Sequence, residues 1–327
     1  MTQLGDNLTT SPLGFGGMAL TPVYGAVDPV DALATLHHSV DSGVTFIDTA
    51  NVYGGGTNEE LVGKLLADRR EEVTVATKFG IAGNPAAGDR AIRGDRAYVM
   101  QCIDESLARL GTDVVDLYYM HRLDPNTPIE ETVGAMAELV AAGKVRHLGL
   151  SEVTADELRR ASAVHPIAAV QSEWSIWSRD VERKVVPAAA ELGVGFVPYA
   201  PLGRGFLTGT VTAESIGDND LRRNFPRFAD GRLNANVVAV ETVERVAAEV
   251  DATPAQVCLA WLLAKGAAQG LAVVPIPGTR RSERIDENVA ALSVDLDATH
   301  IEVLDGVADV VTGARSADPN WVSSGRE

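Results

Sequence analysis

Eight short apolar segments alternate with helix-like segments along most of this 327-residue chain. Repeated strand–helix–strand order is typical of parallel sheets, so this alternation predicts eight parallel strands joined by helices. Some strand segments, such as VTVATK, show little polar alternation, which indicates burial on both faces. The predicted strands are residues 13–17, 44–48, 73–78, 115–120, 145–151, 167–172, 194–200 and 271–277.

Eight parallel strands either close into a barrel or remain an open sheet. The open sheet that binds dinucleotides carries G-x-G-x-x-G on its first strand–helix turn. GFGGM at 14–18 lacks that spacing, and YGGGTNEE at 53–60 follows the second strand. Because no break in composition divides the chain, we predict one α/β domain over residues 1–327, a (β/α)8 TIM barrel, with the open sheet as the alternative.

Three predicted connections are longer than a barrel needs, and all of them follow the carboxyl ends of strands. They span residues 79–95, 172–180 and 201–234. In a barrel this is the face that binds ligands, so we expect long loops folded over a ligand there. The polar residues from about 313 to 327 predict a partly disordered tail.

Charge and targeting signals argue against several classes of protein. The formal net charge of −17 is opposite in sign to that of a nucleic-acid-binding surface. No run of eighteen apolar residues predicts a membrane span, and MTQLGDNLTT does not have the pattern of a signal peptide. Cys102 and Cys258 belong to no cluster with metal-ligand spacing, so no metal site is predicted. We therefore expect a cytoplasmic protein without nucleic-acid or membrane partners.

Polar side chains stand at the carboxyl ends of neighbouring predicted strands, where a barrel brings them into one ring. Taken singly, Asp48 could cap a turn and Tyr53 could pack at the barrel mouth. Lys78 could be a solvated charge and His121 a core histidine. Taken together, Asp48 supplies the counter-charge that a buried Lys78 needs.

The cation of Lys78 is then expected to lower the pKa of Tyr53, which would make this phenol a general acid near neutral pH. His121, one strand further on, is placed to hydrogen-bond the same substrate oxygen. A site of this kind protonates an oxygen while negative charge develops on it. The four residues therefore predict the reduction of a carbonyl group to an alcohol.

Such a reduction requires a hydride donor, and a nicotinamide is the simplest one for a chain without a redox cluster. Ser151 and Gln171 are suited to hold a carboxamide, and Tyr199 offers a flat face for the ring. PLGRGFLTG supplies backbone N–H groups and Arg204 for a pyrophosphate. GTRRSERIDEN opens the last barrel helix with arginines that suit the 2′-phosphate of NADPH; the alternative is a solvated basic helix face.

Three long segments resemble the signatures of the aldo-keto reductase superfamily, and together they extend over nearly the whole chain. GVTFIDTANVYGGGTNEELVGKLL is similar to the first signature, and VVDLYYMHRLDPNTPIEETVGAMAELVAAGKVRHLGLSE to the second. VVPIPGTRRSERIDENVAAL resembles the cofactor signature, and HRLDP and IPGTRR resemble the pyridoxal-reductase-like and auxin-induced-type branch. The resemblance implies a (β/α)8 barrel that reduces small aldehydes or ketones with NADPH, with NADH possible, and a monomer or loose homo-oligomer.

The resemblance also implies roles for individual residues. Tyr53 acts as general acid, Asp48 and Lys78 tune it, and His121 orients the carbonyl. Gly278 stands where many members carry a lysine, so the 2′-phosphate contacts fall on Arg280, Arg281 or Arg284. The implied cofactor contacts are Gly17, Met18, Asp48, Ser151, Glu152, Gln171, Tyr199, Ala200, Pro201, Leu202, Gly203, Arg204, Gly205, Pro277, Gly278, Thr279, Arg280, Arg284, Glu287 and Asn288. The expected substrate contacts are Tyr24, Phe79, Trp174 and Trp177.

Two other functions use the same residues differently. A cofactor-sensing regulatory subunit of the same fold, like the potassium-channel beta subunits, would keep the four catalytic positions without an enzymatic role. A barrel hydrolase would use Asp48 and Glu152 as paired carboxylates, which leaves Tyr53 without a task.

Overall fold

A computed structural model of the protein describes residues 1–83, 88–229 and 231–327. Residues 84–87 of the predicted 79–95 loop and residue 230 of the 201–234 loop lie outside the described residues. Seven parallel strands lie side by side in the order in which they occur along the chain, after a short N-terminal hairpin of β1 (Thr2–Gln3) and β2 (Thr9–Thr10). The parallel strands are β3 (Gly14–Gly16), β4 (Phe46–Asp48), β5 (Thr74–Phe79), β6 (Val115–Met120), β7 (Val145–Ser151), β8 (Ala169–Glu173) and β9 (Gly195–Tyr199).

Residues 271–277 fill the eighth position and join the first barrel strand to the last. On the β3 side, the N–H of Gly14 donates to the carbonyl of Pro275, and on the β9 side, the N–H of Phe196 donates to Ala272. The two prolines of this segment have no N–H to donate, which explains why its ladder is irregular. The closed barrel is therefore confirmed, and the open sheet is wrong.

Helices cover the outside of the barrel, and their ends follow the capping signals in the sequence. Asp95 caps α3, and Gly111, in the left-handed region with φ 64°, ends it. Thr154 opens α5 with a full capping box. The helices are α1 (Pro29–Asp41), α2 (Thr57–Arg69), α3 (Arg96–Leu110), α4 (Ile129–Ala141), α5 (Ala155–Ser162), α6 (Val185–Leu192), α7 (Arg232–Ala235), α8 (Val237–Glu249), α9 (Pro254–Ala268), α10 (Ser282–Ala290), α11 (Ala298–Asp305) and α12 (Val307–Val310).

The alternation of side chains along each strand decides which residues face the barrel interior. Phe46, Ala76 and Val197 belong to one buried interior cluster, with Leu4 and Leu8 of the N-terminal hairpin at its end. Side chains two positions further along a strand point the same way, at the carboxyl end. Polar residues 48, 78 and 199 therefore stand above the apolar interior rather than in the outer layer.

Among the described residues, no single helix has the length and apolar content needed to cross a membrane. The stretch Arg232–Glu249, which contains α7 and α8, reaches the required length and apolar content only together with α9. An 87° bend separates this stretch from α9.

Candidate active site

Asp48, Tyr53, Lys78 and His121 meet at the carboxyl ends of β4, β5 and β6. The Lys78 ammonium donates to Asp48 Oδ1 and, over 2.8 Å, to the carbonyl of Thr49. The same nitrogen lies 3.5 Å from the Tyr53 hydroxyl. The rings of Tyr53 and His121 meet edge to face, with centroids 5.8 Å apart. The predicted grouping of these four side chains is thus present.

The turn that carries Tyr53 depends on glycine. Tyr53 begins a 3-10 turn in which Gly54 and Gly55 have φ values of 59° and 66°. Glycine adopts this left-handed region without the steric penalty of a Cβ atom. A 13-residue helix, α2, follows this turn directly. The glycine-rich segment therefore brings the phenol back over the ends of β4 and β5.

The buried ion pair of Lys78 and Asp48 is the electrostatic centre of the site. The exposed fraction of the side chain is 0% for Lys78 and 2% for Asp48. Burial alone would lower the pKa of Lys78, but Asp48 and Tyr53 outweigh it and raise this pKa. The Gln171 amide donates to the other carboxylate oxygen of Asp48 over 2.8 Å. Lys78 is therefore held as a cation beside the phenol.

The pKa of Tyr53 departs from its ordinary value in the direction opposite to our expectation. Burial of the hydroxyl raises this pKa, and the lowering effect of Lys78 is smaller. The prediction that the pKa of Tyr53 is lowered is therefore wrong. A raised pKa keeps the phenol protonated at neutral pH, which is the form that a proton donor requires.

His121 is neutral in this site. Burial lowers the pKa of His121 well below its ordinary value, and the charges of Arg122 and Lys78 lower it further. Its Nδ1 atom is buried and has no hydrogen-bond partner among the residues that the structure describes. A neutral imidazole with an unused polar atom is suited to contact a substrate oxygen without adding charge.

Ser151, Gln171 and Tyr199 occupy the carboxyl ends of three consecutive strands, as predicted. Ser151 of β7 pairs in register with Gln171 of β8. Tyr199 of β9 pairs in register with Glu173 of β8. The three strand ends therefore present a hydroxyl, an amide and an aromatic face. These are the groups expected to contact the carboxamide and the ring of a nicotinamide.

Glu152 does not offer a free oxygen to a cofactor. Both Arg315 terminal nitrogens donate to its carboxylate over 2.9 Å, and the Tyr199 hydroxyl donates over 2.8 Å. The N–H of Ser323 also donates to this carboxylate over 2.9 Å. Burial alone would raise the pKa of Glu152, but Arg315 outweighs it and holds the pKa well below its usual range. A cofactor contact from this carboxylate is therefore not supported by its hydrogen bonds.

These contacts also correct the expectation of a partly disordered C-terminal tail. Besides Arg315 and Ser323, Arg326 binds the carbonyl of Glu152 and the carboxylate of Glu157. The polar residues of the tail thus have fixed partners on the carboxyl face of the barrel. Polar composition predicted the opposite because it does not show that these donors bind the buried carboxylate of Glu152, directly after β7.

We expect Arg315→Met to destabilise the protein by about 3–5 kcal/mol, because it leaves the buried Glu152 carboxylate without its cation. Thermal unfolding of the wild type and the variant measures this effect. Arg159→Met is the matched control, since Arg159 and Glu191 form an ion pair in which both side chains are exposed. Equal melting temperatures for the two variants would contradict the anchoring role of Arg315.

The segment that follows β9 forms the turn predicted to face a pyrophosphate. Residues 200–205 include two left-handed residues other than glycine, Ala200 with φ 47° and Arg204 with φ 59°. The Arg204 guanidinium donates to Glu173 over 3.0 Å and lies 3.9 Å from the ring of Phe225. Its charge is therefore already paired. The N–H groups of Gly203 and Gly205 donate to Ala200 and Leu202 within the turn, and Pro201 has no N–H. The pyrophosphate contact of this turn (Pro201, Leu202, Gly203 and Gly205) stays a prediction.

Arg280 is a structural residue rather than a free phosphate ligand. Its guanidinium donates four hydrogen bonds to backbone carbonyls of the segment after β3, at Ala19, Thr21, Tyr24 and Ala26. It therefore holds the segment that contains Gly17, Met18 and Tyr24 against residues 277–281. The phosphate contact expected of Arg280 therefore finds no support in the hydrogen bonds of its guanidinium.

The other residues of the predicted adenosine end stand on and before α10. Arg284 pairs with Glu287 over 2.7 Å, and Asn288 is buried. Arg281 is more than half exposed. Its N–H donates to the hydroxyl of Thr279, which precedes the helix. Arg281 and Arg284 thus remain as cations near the N-terminus of α10.

Gly278 and Gly17 are required by close approach of the backbone. A Cβ atom on Gly278 would lie 2.4 Å from the carbonyl oxygen of Gly16, and one on Gly17 would lie 2.7 Å from that of Asp48. The glycine at 278 in place of a lysine therefore has a packing reason in this chain. Pro277, beside it, accepts a hydrogen bond from Gly16 where the barrel closes.

Three of the four predicted substrate contacts lie in the core rather than at the barrel mouth. Trp174 is fully buried, edge to face with Phe196 and Trp261. Its position follows from alternation, since Gln171 and Glu173 point inward and residue 174 points outward. Phe79 points outward for the same reason and stacks on Tyr118.

The two remaining aromatic residues differ in exposure. Trp177 is buried and stacks on Phe206 with ring centroids 5.0 Å apart, so it does not line the mouth. Tyr24 is partly exposed and lies 5.3 Å from the guanidinium of Arg222. Sequence reasoning missed Trp321 of the tail, whose ring lies 5.1 Å from the guanidinium of Arg122, next to His121. The one feature of the sequence that could have indicated Trp321 is that it is an aromatic residue in a polar tail.

Comparison with known proteins identifies the family of the chain. The model of the aldo/keto reductase family matches residues 12–309. A "Probable aldo-keto reductase 1" of Glycine max is 46% identical over 310 residues, which is 93% of this chain and 88% of the relative.

Two solved structures show the same architecture. The thermostable aldo-keto reductase Tm1743, in complex with the inhibitor epalrestat, is 30% identical with a TM-score of 0.73 and covers 93% of this chain and 98% of its own. The glycerol dehydrogenase AKR11B4 of Gluconobacter oxydans is 25% identical with a TM-score of 0.83 and covers 95% of each chain.

The chain belongs to the aldo/keto reductase family. It is an NAD(P)H-dependent oxidoreductase, and carbonyl reduction is the general kind of reaction that it carries out.

Proposed function

We propose that this protein reduces small aldehydes and ketones with NADPH, and that Tyr53 is the general acid. The observation that carries the proposal is the position of the Tyr53 hydroxyl, 3.5 Å from a lysine that is fully buried and paired with Asp48. A neutral His121 lies against the same phenol. This arrangement provides a protonated donor, a fixed cation behind it and an uncharged hydrogen-bonding group beside it.

A nicotinamide held at this site would supply the hydride for the reaction. The substrate oxygen gains negative charge as the carbonyl is reduced, and Tyr53 donates its proton to that oxygen. Lys78 stabilises the phenolate that remains, and the backbone carbonyl of Thr49 and Asp48 keep the ammonium in place. The neutral imidazole of His121 positions the substrate oxygen over the phenol.

The strand ends of β7, β8 and β9 are proposed to hold the nicotinamide. The Gln171 Nε2 atom is engaged with Asp48, so its amide oxygen is the atom left for a carboxamide. Ser151 stands beside it on the neighbouring strand, and the ring of Tyr199, partly exposed, provides the stacking face. These three residues would hold the nicotinamide with uncharged groups.

A preference for NADPH over NADH is proposed from the cations near the N-terminus of α10. Arg281 is exposed, and the Arg284 side chain is partly exposed beside Glu287. Arginine forks and helix N-termini favour a phosphate, and the ribose 2′-phosphate is the group that distinguishes NADPH. Arg280 is not part of this proposal, because backbone carbonyls occupy its donors.

The paired-carboxylate hydrolase is not favoured by the geometry. Glycoside hydrolysis requires one of two carboxyl groups to donate a proton. Glu152 is bonded to Arg315, and Asp48 is bonded to Lys78. Arg315 holds the pKa of Glu152 well below its usual range, so this carboxylate stays ionised. Burial raises the pKa of Asp48, but Lys78 and Gln171 donate to its two oxygens, so this group is not free to protonate a substrate.

The proposal is tested by following the oxidation of NADPH and of NADH with 4-nitrobenzaldehyde. We expect turnover with both cofactors and a kcat/KM at least about tenfold higher for NADPH, which corresponds to one charge-assisted contact to the 2′-phosphate. Arg284→Met should lower this preference. Tight NADPH binding without turnover of any aldehyde would contradict the reductase and favour the regulatory subunit.

A further inference from the structure

Arg122 is a buried cation without an ion-pair partner among the described residues. It follows His121 at the end of β6, and its exposed fraction is 8%. Arginines with so little exposure are normally paired with a carboxylate, because an unpaired buried charge is costly. The carboxylates of this face are already occupied, since Glu152 binds Arg315 and Asp48 binds Lys78.

Among the described residues, the hydrogen bonds of Arg122 involve only the Nη1 atom of its guanidinium. Its Nη1 atom donates to the carbonyl of His121 over 2.6 Å and to the Ser151 hydroxyl over 3.3 Å. Its Nε atom is buried and has no partner in the part of the chain that the structure describes. No hydrogen bond from its Nη2 atom to any described residue is present either.

The two nitrogens without a hydrogen-bond partner among the described residues, Nε and Nη2, are a pair that can bind one anion together. Nε and Nη2 form one edge of the guanidinium, and this edge matches the two oxygens of a carboxylate. The Nη1 contacts fix the orientation of the plane, and the ring of Trp321 lies 5.1 Å from its centre. The edge is therefore held in a defined orientation beside the catalytic residues.

Arg122 also acts on the catalytic residues themselves. Its charge contributes to the lowered pKa of His121, after the larger effect of burial. Among the smaller influences on the pKa of Tyr53, it opposes the rise that burial causes. The guanidinium is thus close enough to both groups that a ligand bound to it would share their site.

We propose that Arg122 binds a carboxylate carried by the carbonyl substrate, so that the protein prefers aldehydes or ketones with an acidic group. This inference rests on the proposed reductase function and names a substrate class for the same site. The carboxylate supplies the direct ion-pair partner that Arg122 lacks among the described residues, and it holds the carbonyl near Tyr53. A neutral substrate of the same shape leaves the Nε–Nη2 edge unpaired.

The test compares 2-, 3- and 4-formylbenzoate with their methyl esters, which keep the reacting aldehyde and remove the charge. NADPH oxidation is measured for the wild type, Arg122→Met, Arg122→Lys and Arg90→Met. Arg90→Met is the matched control, because Arg90 also lies over the Trp321 ring, at 5.4 Å, but pairs with Asp318 and is more exposed. Melting temperature and NADPH affinity are measured for each variant.

We expect the wild type to prefer at least one formylbenzoate over its ester by about tenfold or more in kcat/KM. Arg122→Met should lower the acid rate at least about tenfold further than the ester rate, and Arg122→Lys should retain part of the preference. Arg90→Met should leave the preference unchanged.

Three results would overturn the carboxylate site. These are a wild type that prefers no acid over its ester, an Arg122→Met variant that lowers acid and ester rates equally, and a variant whose only effect is weaker NADPH binding. The last result would assign Arg122 to the cofactor. If the wild type reduces neither a formylbenzoate nor any neutral aldehyde, the reductase function itself fails and the carboxylate site falls with it.

Discussion

Tyr53→Phe is expected to lower kcat for the reduction of 4-nitrobenzaldehyde by about 10³-fold, within the range that a general acid contributes. The variant keeps the aromatic ring that meets His121 edge to face and loses only the hydroxyl. Without this group, the site lacks the hydroxyl proton that is transferred to the substrate oxygen as that oxygen gains charge. NADPH affinity should change little, because the phenol is not one of the proposed cofactor contacts.

The raised pKa of Tyr53 gives this expectation its chemical basis. Burial keeps the hydroxyl protonated at neutral pH, and Lys78 compensates for the charge that appears when the proton leaves. The pKa of His121 lies far below its ordinary value, so this imidazole is already neutral and cannot replace the proton donor.

Tyr98→Phe is the control for Tyr53→Phe, since it makes the same chemical change outside the site. The Tyr98 hydroxyl lies 3.5 Å from the carbonyl of Ile81 and faces no catalytic residue. Its kcat should match that of the wild type. A Tyr53→Phe variant with more than about a tenth of wild-type kcat would contradict the role of Tyr53 as general acid.

Lys78→Met is expected to lower both activity and stability. The phenolate loses its stabilising cation, so kcat should fall by about 10²-fold or more. Asp48 remains buried with the Gln171 amide as its remaining side-chain donor among the described residues, and breaking a buried pair costs about 3–5 kcal/mol. Kinetics with 4-nitrobenzaldehyde and thermal unfolding measure the two effects separately.

The double variant Asp48→Asn/Lys78→Met separates folding from catalysis. An uncharged pair removes the isolated buried charge, so the melting temperature should recover relative to Lys78→Met while kcat stays low. Lys265→Met serves as a control, because Lys265 pairs with Asp305 away from the catalytic residues. Recovery of activity in the double variant would show that Lys78 acts only on stability.

The sequence was most informative where the fold itself determines proximity. In a barrel, the carboxyl ends of all strands meet in one ring, so Asp48, Lys78 and His121 could be grouped without knowledge of any loop. Tyr53 lies five residues beyond the end of β4, and the three glycines at 54–56 that follow it lead directly into α2, which restricts the turn strongly. Ser151 and Gln171 were placed in the same way, from their positions at the ends of neighbouring strands.

Sequence reasoning failed where a prediction depended on side-chain direction or on a balance of energies. Trp174 and Phe79 were assigned to the substrate site by their nearness to strand ends, but alternation points both outward. The direction of the Tyr53 pKa shift depends on whether burial or the charge of Lys78 is larger, which spacing alone does not show. Arg280 looked like a phosphate ligand, although carbonyls of a segment about 260 positions earlier use its donors.

The transfer of deuterium tests the central claim most directly. NADPH that carries deuterium at both positions of nicotinamide C4 is incubated with 4-nitrobenzaldehyde and the wild-type protein, and the alcohol is analysed by mass spectrometry. The account predicts one deuterium on the alcohol carbon of the product, with its formation nearly abolished in Tyr53→Phe. An alcohol without deuterium, or no alcohol from a wild-type protein that binds NADPH, would contradict hydride transfer at this site.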